Sequence, residues 1–303
     1  MTEIKIEAKN RKLYTLTFGK QPNTIAPFRT FHISDIHFDS KSCDREKLKR
    51  DMDMCLREDR YIFIYGDIFD VMCTYTDKRR SYDLMRPEYV GDNYLNLVID
   101  DVCKFFKPYA KNIAHLSYGN HETAIRKIHS ADVLEILHYS LQHNGCPALL
   151  SPYTGFIKVA SLRGSRKTLT KTIHYHHGHE GGRRSKGTLK VDTDQAKVEA
   201  DIHLSGHNHQ KWSMPWGREY IERRNSELRI RRGYHINMGT YKDKSKSGMG
   251  WSEEKSFGCP GIGGYCIDFF RSEDTLDYHV YEPAPWVGKK SFKNQNDPLH
   301  KAR

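Results

Sequence analysis

Five short runs of this 303-residue chain carry side chains able to grip cations: Asp35-x-His37, Gly66-Asp67-x-x-Asp70, Gly119-Asn120-His121-Glu122, His177-Gly178-His179 and Gly206-His207-x-His209. Carboxylate, imidazole and amide donors in this mixture suit two divalent ions of the manganese, iron, zinc or nickel type, with one carboxylate bridging the pair. Two such ions roughly 3.5–4 Å apart can hold a hydroxide nucleophile between them and neutralise phosphoryl oxygens. Cleavage of a phosphoester at neutral pH needs both, together with a stabilised leaving group. Taken singly, each run could be an ordinary turn. Their order and their shared placement carry the reading.

That placement is at the ends of apolar stretches that read as strands, where ligands are held rigidly and loops can converge. FRTFHIS (28–34) precedes the first run, YIFIY (61–65) the second, NIAHLSY (112–118) the third, a strand near 170–176 the fourth and one over 201–205 the fifth. Apolar positions Leu48, Met52, Cys55 and Leu56 predict an amphipathic helix over 44–58, and Leu95, Val98, Val102, Phe105 and Phe106 another over 93–106. Ser130 suits the N-cap of a helix carrying Val133, Leu134, Leu137 and Leu141. Further strands are expected over 12–18, 155–162, 234–239, 264–270 and 276–281, with a short helix near 193–199. Asn225-Ser226 can form a two-residue hairpin tip, setting Ile221 opposite Ile230 and Glu222 opposite Arg229. Strand–helix–strand first and hairpins later imply two packed sheets flanked by helices, in one domain. A Gly, Ser and Lys-rich loop over 242–260 and a polar tail over 288–303 complete the expected layout of residues 1–303.

No apolar run approaches the roughly 18 residues needed to cross a bilayer, and the charged start MTEIKIEAKNRK has no signal-like core. We therefore expect a cytoplasmic protein without a membrane partner. Seven cysteines without C-x-x-C spacing predict free thiols rather than disulfides or a zinc ribbon. The net charge of +11 points to a polyanionic partner or to a merely soluble basic surface. Clusters at Lys78-Arg79-Arg80, Arg183-Arg184-x-Lys186, Arg223-Arg224, Arg229-x-Arg231-Arg232 and Lys242-x-Lys244-x-Lys246 favour the partner.

The ordered set D-x-H, G-D-x-x-D, G-N-H-[DE], H and G-H-x-H resembles the calcineurin-like metallophosphoesterases over about residues 29–240. That resemblance implies an α/β four-layer sandwich of two mixed β-sheets flanked by helices. It implies that Asp35, His37, Asp67 and His209 hold one metal, and that Asp67 bridges to a second completed by Asn120, His177 and His207. His121, oriented by Asp70, would face the scissile phosphate and stabilise charge or protonate the leaving oxygen. Among the crowded His174, His176, His177 and His179, the ligand is expected at His177, where strand TIHYH ends before a glycine. His179 would then touch substrate or be a solvated neighbour. Arg183, Arg184 and Lys186 could reach substrate phosphates or lie in an exposed loop.

Protein phosphatases of this family extend the second motif to D-R-G and place an arginine before G-N-H-E. Here Val71-Met72 follows Asp70 and Tyr118 precedes Gly119, which disfavours that branch. GDIFD looks more like the nuclease and phosphodiesterase branches related to DNA-repair exonucleases, although their G-N-H-D is G-N-H-E here. The leading expectation is a manganese-favouring, dinuclear phosphodiesterase acting on DNA. The alternatives are a phosphoesterase for a nucleotide or other small phosphometabolite, and a non-catalytic scaffold, which the presence of His121 and Asp70 argues against. Trp212, Trp216 and Tyr220, interleaved with arginines, make the 211–232 hairpin a candidate substrate flap or simply the edge of the second sheet.

Overall fold

A computed structural model describes residues 2–19, 27–71, 85–162, 168–178, 188, 197–222, 224–243 and 261–284. Thirteen strands among these residues form two mixed sheets. In the six-stranded sheet the order is β13 (Leu276–Tyr281), β12 (Tyr265–Arg271), β3 (Phe28–Ile33), β4 (Tyr61–Tyr65), β5 (Ile113–Ser117) and β6 (Leu149–Ser151). The seven-stranded sheet runs β1 (Ile4–Asn10), β2 (Leu13–Phe18), β7 (Thr154–Ser161), β8 (Leu169–His176), β9 (Ile202–Ser205), β11 (Glu227–Met238) and β10 (Lys211–Glu222). Strands β3, β4 and β5 are mutually parallel, as are β8 and β9. All five motifs therefore leave strand C-termini.

β4 shows why the layers stack. Ile62 and Ile64 point into a core shared with helices, while Tyr61, Phe63 and Tyr65 enter a second core between the sheets, as the two-residue period of a strand requires. The helical core receives Leu48 and Met52 from α1 (Arg45–Arg57), Val98 and Val102 from α2 (Tyr94–Phe106), Ile125 from α3 (Asn120–His129) and Leu134 and Leu137 from α4 (Val133–Gln142). Each such buried side chain contributes about 1.5–3 kcal/mol. The inter-sheet core adds Leu16, Ile157, Ile173, Ile202 and Ile236 from the larger sheet. This is the expected α/β arrangement of two mixed sheets with flanking helices. The helix expected at 193–199 is described only from 197, and most of the 242–260 loop and all of the 288–303 tail lie outside the described residues.

α1 begins where Asp44 accepts a hydrogen bond from the Lys47 amide (3.0 Å). Ser130 does not begin α4. It closes α3 in a left-handed conformation (φ 53°), and Asp132 caps α4 instead, its carboxylate accepting from the Glu135 amide at 3.0 Å. The hairpin register also differs from expectation. Ile221 faces Leu228, Glu219 faces Ile230 and Glu222 faces Glu227, so four residues rather than two make the tip. β11 pairs with β9 only over 234–237, which leaves 217–222 and 227–232 as a two-stranded arm beyond the sheet. No helix among the described residues is long and apolar enough to cross a membrane. Five cysteines are described, all free, and four of them are buried.

Candidate metal centre

Tight loops bring the motifs together. Gly66 adopts φ +82°, and a Cβ there would lie 2.6 Å from the Gly119 Cα, so the second and third loops can touch only as glycines. A Cβ on Gly206 would meet the Asp35 carboxylate at 2.6 Å. Five of the converging residues themselves have positive φ: Asp35 (53°), His37 (49°), Asp67 (50°), His207 (69°) and His209 (58°).

Two clusters result, each with three donors within 4.8 Å of one another: Asp35, His37 and His209, and Asp67, His177 and His207. In the first, His37 Nε2 lies 3.0 Å from His209 Nε2, and His209 Nε2 is 3.5 Å from Asp35 Oδ1. In the second, His177 Nε2 is 3.1 Å from Asp67 Oδ2 and 3.1 Å from Asn120 Oδ1, which also meets His207 Nδ1 at 2.7 Å. Asp67 joins the clusters, its Oδ2 standing 3.9 Å from His37 Nε2. His177 Nδ1 faces the Tyr65 carbonyl at 2.8 Å, which holds that nitrogen in its N–H form and turns Nε2 inward. Asp35 is fixed by the His207 amide, which approaches both carboxylate oxygens at 3.0 and 2.9 Å. His37, Asp35, Asp67 and His177 are buried; Asn120, His207 and His209 are part-buried.

The electrostatics suit cations. Burial pushes His37 down to about 4, with Lys242 adding to the effect, and it holds His209 well below the usual imidazole range. Both rings are thus neutral and offer lone pairs. Burial opposes protonation of His177, but Asp67 and Asp35 outweigh it and raise that ring to about 10. Burial, with Asp67 nearby, lifts Asp35 to about 6. Two buried carboxylates, four imidazoles and an amide oxygen converge here, a donor set that fits two transition-type divalent ions.

A third cluster, His37, Asp70 and His121, adjoins these. His121 Nδ1 hydrogen-bonds the Asp70 backbone carbonyl at 2.5 Å, while the Asp70 carboxylate is 3.8 Å away and instead meets His37 Nδ1 at 2.8 Å and Lys242 Nζ at 2.7 Å. Sequence reasoning took Asp70 as the partner of His121; the structure brings them together through the main chain.

The roles of several site residues escaped the sequence. Glu122 accepts from the amides of Asp67 (3.0 Å), Ile68 (2.7 Å), Phe69 (3.2 Å) and Gly119 (2.9 Å), which ties two motif loops to one carboxylate. Burial and the Asp67 charge push Glu122 up to about 7, whereas the four donors favour the ionised form, which only accepts. Asp39 does the same for the Asp70 (2.6 Å) and Val71 (3.0 Å) amides. Lys242 entered the sequence reading only as part of a charge cluster. His179, Arg183, Arg184 and Lys186 lie outside the described residues.

A profile of the calcineurin-like phosphoesterases matches residues 28–211, more than half of the chain. The chain belongs to this family. Its matched region contains all seven candidate ligands as well as Asp70 and His121, and the protein is a metal-dependent phosphoric ester hydrolase. Among solved structures, the chain is similar to a metallophosphoesterase from Sphaerobacter thermophilus at 14% identity, covering 85% of this chain and 89% of that one with a TM-score of 0.32. It is also similar to GAP50, described as the anchor in the inner membrane complex of Plasmodium (15% identity, 84% of each chain, TM-score 0.38). A Thermotoga maritima protein solved by NMR in solution gives 12% identity, 84% and 99% coverage and a TM-score of 0.29. No curated protein matches significantly.

Proposed function

We propose that this phosphoesterase is a phosphodiesterase of the nuclease-like branch, acting on nucleic acid, with DNA as the leading substrate and manganese as the favoured metal. The convergence of seven oxygen and nitrogen donors beside a separately held imidazole, His121, carries the reading. In this scheme Asp35, His37, Asp67 and His209 hold one ion, and Asp67, Asn120, His177 and His207 hold the other. When bound, the two ions supply Lewis-acid chemistry, drawing charge from phosphoryl oxygens and acidifying water. The chain's own residues do the rest. Asp67 serves both clusters, and the Tyr65 carbonyl aims His177. His121 donates Nδ1–H to the Asp70 carbonyl, which leaves Nε2 facing the site, where the ring, when protonated there as well, can pass that proton to the leaving oxygen. His179, Arg183, Arg184 and Lys186 would contact the flanking phosphates. The net charge of +11 supports a polyanionic substrate.

One observation favours the second reading, a nucleotide or small phosphometabolite. On the protruding arm, Arg229 pairs with Glu227 (3.0 Å), and Arg231 pairs with Glu199 and with Asp201 (3.7 Å), so these cations are balanced internally. A panel of single- and double-stranded DNA, RNA and small esters with added manganese, run beside Asp67→Asn, separates the two. We expect DNA cleavage with affinity falling steeply as salt rises, and roughly a thousandfold lower kcat/KM in Asp67→Asn, at about 1.4 kcal/mol per decade. Turnover of small esters alone, indifferent to salt, would reject DNA as substrate. Full activity in Asp67→Asn would reject the ligand assignment.

A further inference from the structure

The ammonium group of Lys242 is turned into the site rather than out to water. Lysine ordinarily extends its charged head into solvent, and it is buried only when something holds it. Here the side chain is 18% exposed and its Nζ lies 2.7 Å from Asp70 Oδ1, the oxygen that also meets His37 Nδ1 at 2.8 Å. The main chain beneath it is fastened to the first motif loop. Thr240 Oγ1 donates to the Asp35 carbonyl (2.8 Å), and the Tyr241 amide donates to the same oxygen (3.1 Å). The buried Tyr241 hydroxyl donates to Asp51 (2.8 Å), and Lys242 bridges to Cys43 across an antiparallel pair. The loop bearing Asp35 therefore fixes where Lys242 stands.

A fixed cation beside clusters built to hold two dications is repelled by them, and Asp70 offsets only part of that charge. Asp70 takes one of the ammonium's three N–H groups and is, among the described residues, the one acceptor that Nζ meets. Two donors remain. His121 is held by the carbonyl of this same Asp70, so Lys242 and His121 approach the site along one edge. An anion occupying that edge would satisfy the remaining donors and relieve the repulsion.

We propose that Lys242 is a phosphoryl-binding residue, its ammonium donating to a non-bridging oxygen of the substrate phosphate while Asp70 holds it in place. The proposal rests on the phosphoester-cleaving reading above and adds to it a contact to substrate.

The test uses the full-length, manganese-reconstituted protein with Lys242→Met and Lys242→Arg. Elemental analysis gives metal content, calorimetric titration gives affinity for inorganic phosphate, and bis(p-nitrophenyl) phosphate gives KM and kcat separately. We expect Lys242→Met to keep the parent's manganese content and melting temperature, to bind phosphate about tenfold more weakly and to raise KM by a similar factor. Lys242→Arg, which keeps the charge, should stay within about threefold of the parent on both measures. Phosphate affinity and KM unchanged in Lys242→Met would overturn the proposal. Loss of manganese from that variant would overturn it too, because the lysine would then act through the ligand loops. A parent that hydrolyses no ester would sink the hydrolase reading instead, and the phosphate titration would still decide the role of Lys242.

Discussion

Asp35, His37, Asp67, His207 and His209 all hold backbone conformations that L-residues avoid, at on the order of 1–3 kcal/mol each. Val71 is the sharpest case, because a β-branched residue at φ 45° is an outlier, pinned by the Asp39 carboxylate on its amide. Strain of this kind persists only where neighbours over-determine it, and for Asp67 and Val71 those neighbours are Glu122 and Asp39, with six amide contacts between them across 67–71 and Gly119. Away from the centre, His32 is buried between the sheets, with Thr30 Oγ1 at 2.8 Å and Tyr65 OH at 3.0 Å on its two nitrogens. Burial pushes it down to about 3. The unfolded chain takes up this proton near pH 6.5 and the folded chain does not, so the stability is present above pH 6.5 and is lost as pH falls toward 3. Between pH 7 and 5 the parent should lose about 2 kcal/mol relative to His32→Gln, read from paired denaturant midpoints; a pH-independent difference would show that the ring protonates in the folded protein. The candidate ligands that the structure brings together were legible as residue types because metal chemistry admits few donors. The roles of Glu122, Asp39 and Lys242 were not, because an acid or lysine in a loop looks the same whether it faces amides, phosphates or water.

At the scale of elements, the design is a set of parallel strands, β3, β4 and β5 in one sheet and β8 and β9 in the other, each releasing a motif at its C-terminus. Hydrophobic runs such as YIFIY made these strands readable, since only a strand buried on both faces tolerates such a run. β1, with its alternating charges at a sheet edge, and the three-residue β6 gave too little pattern to predict. The hairpin register was missed for a physical reason. Ile221 meets an aliphatic partner whether it pairs with Leu228 or Ile230, and the arm has no buried face to penalise a slip. Ile221, Leu228 and Ile230 remain 66%, 68% and 55% exposed on one side of it. A two-stranded ribbon is marginal alone in water. Amides of 217–222 and 227–232 should therefore exchange hydrogen well before those of 234–238, which pair with β9 or lie beside it. Equal protection across β11, measured by mass spectrometry, would contradict an unsupported arm.

Over the whole molecule, the two sheets meet through the Tyr65, Phe63 and Ile173 core below and through the candidate centre above. Donors Asp35, Asp67 and Asn120 come from the six-stranded side, and His177, His207 and His209 from the seven-stranded side. Manganese at about a hundred times its dissociation constant should stabilise the fold by about 2.7 kcal/mol, raising the melting temperature by roughly 4 °C over chelator-treated protein. No shift with manganese, zinc or iron would mean that the donors do not bind metal in the native state. The stripped protein has a further vulnerability. With its rivets drawn, the sandwich stays glued along its greasy floor yet gapes at the rim, so proteases should nick the rim loops while circular dichroism still reports an intact fold.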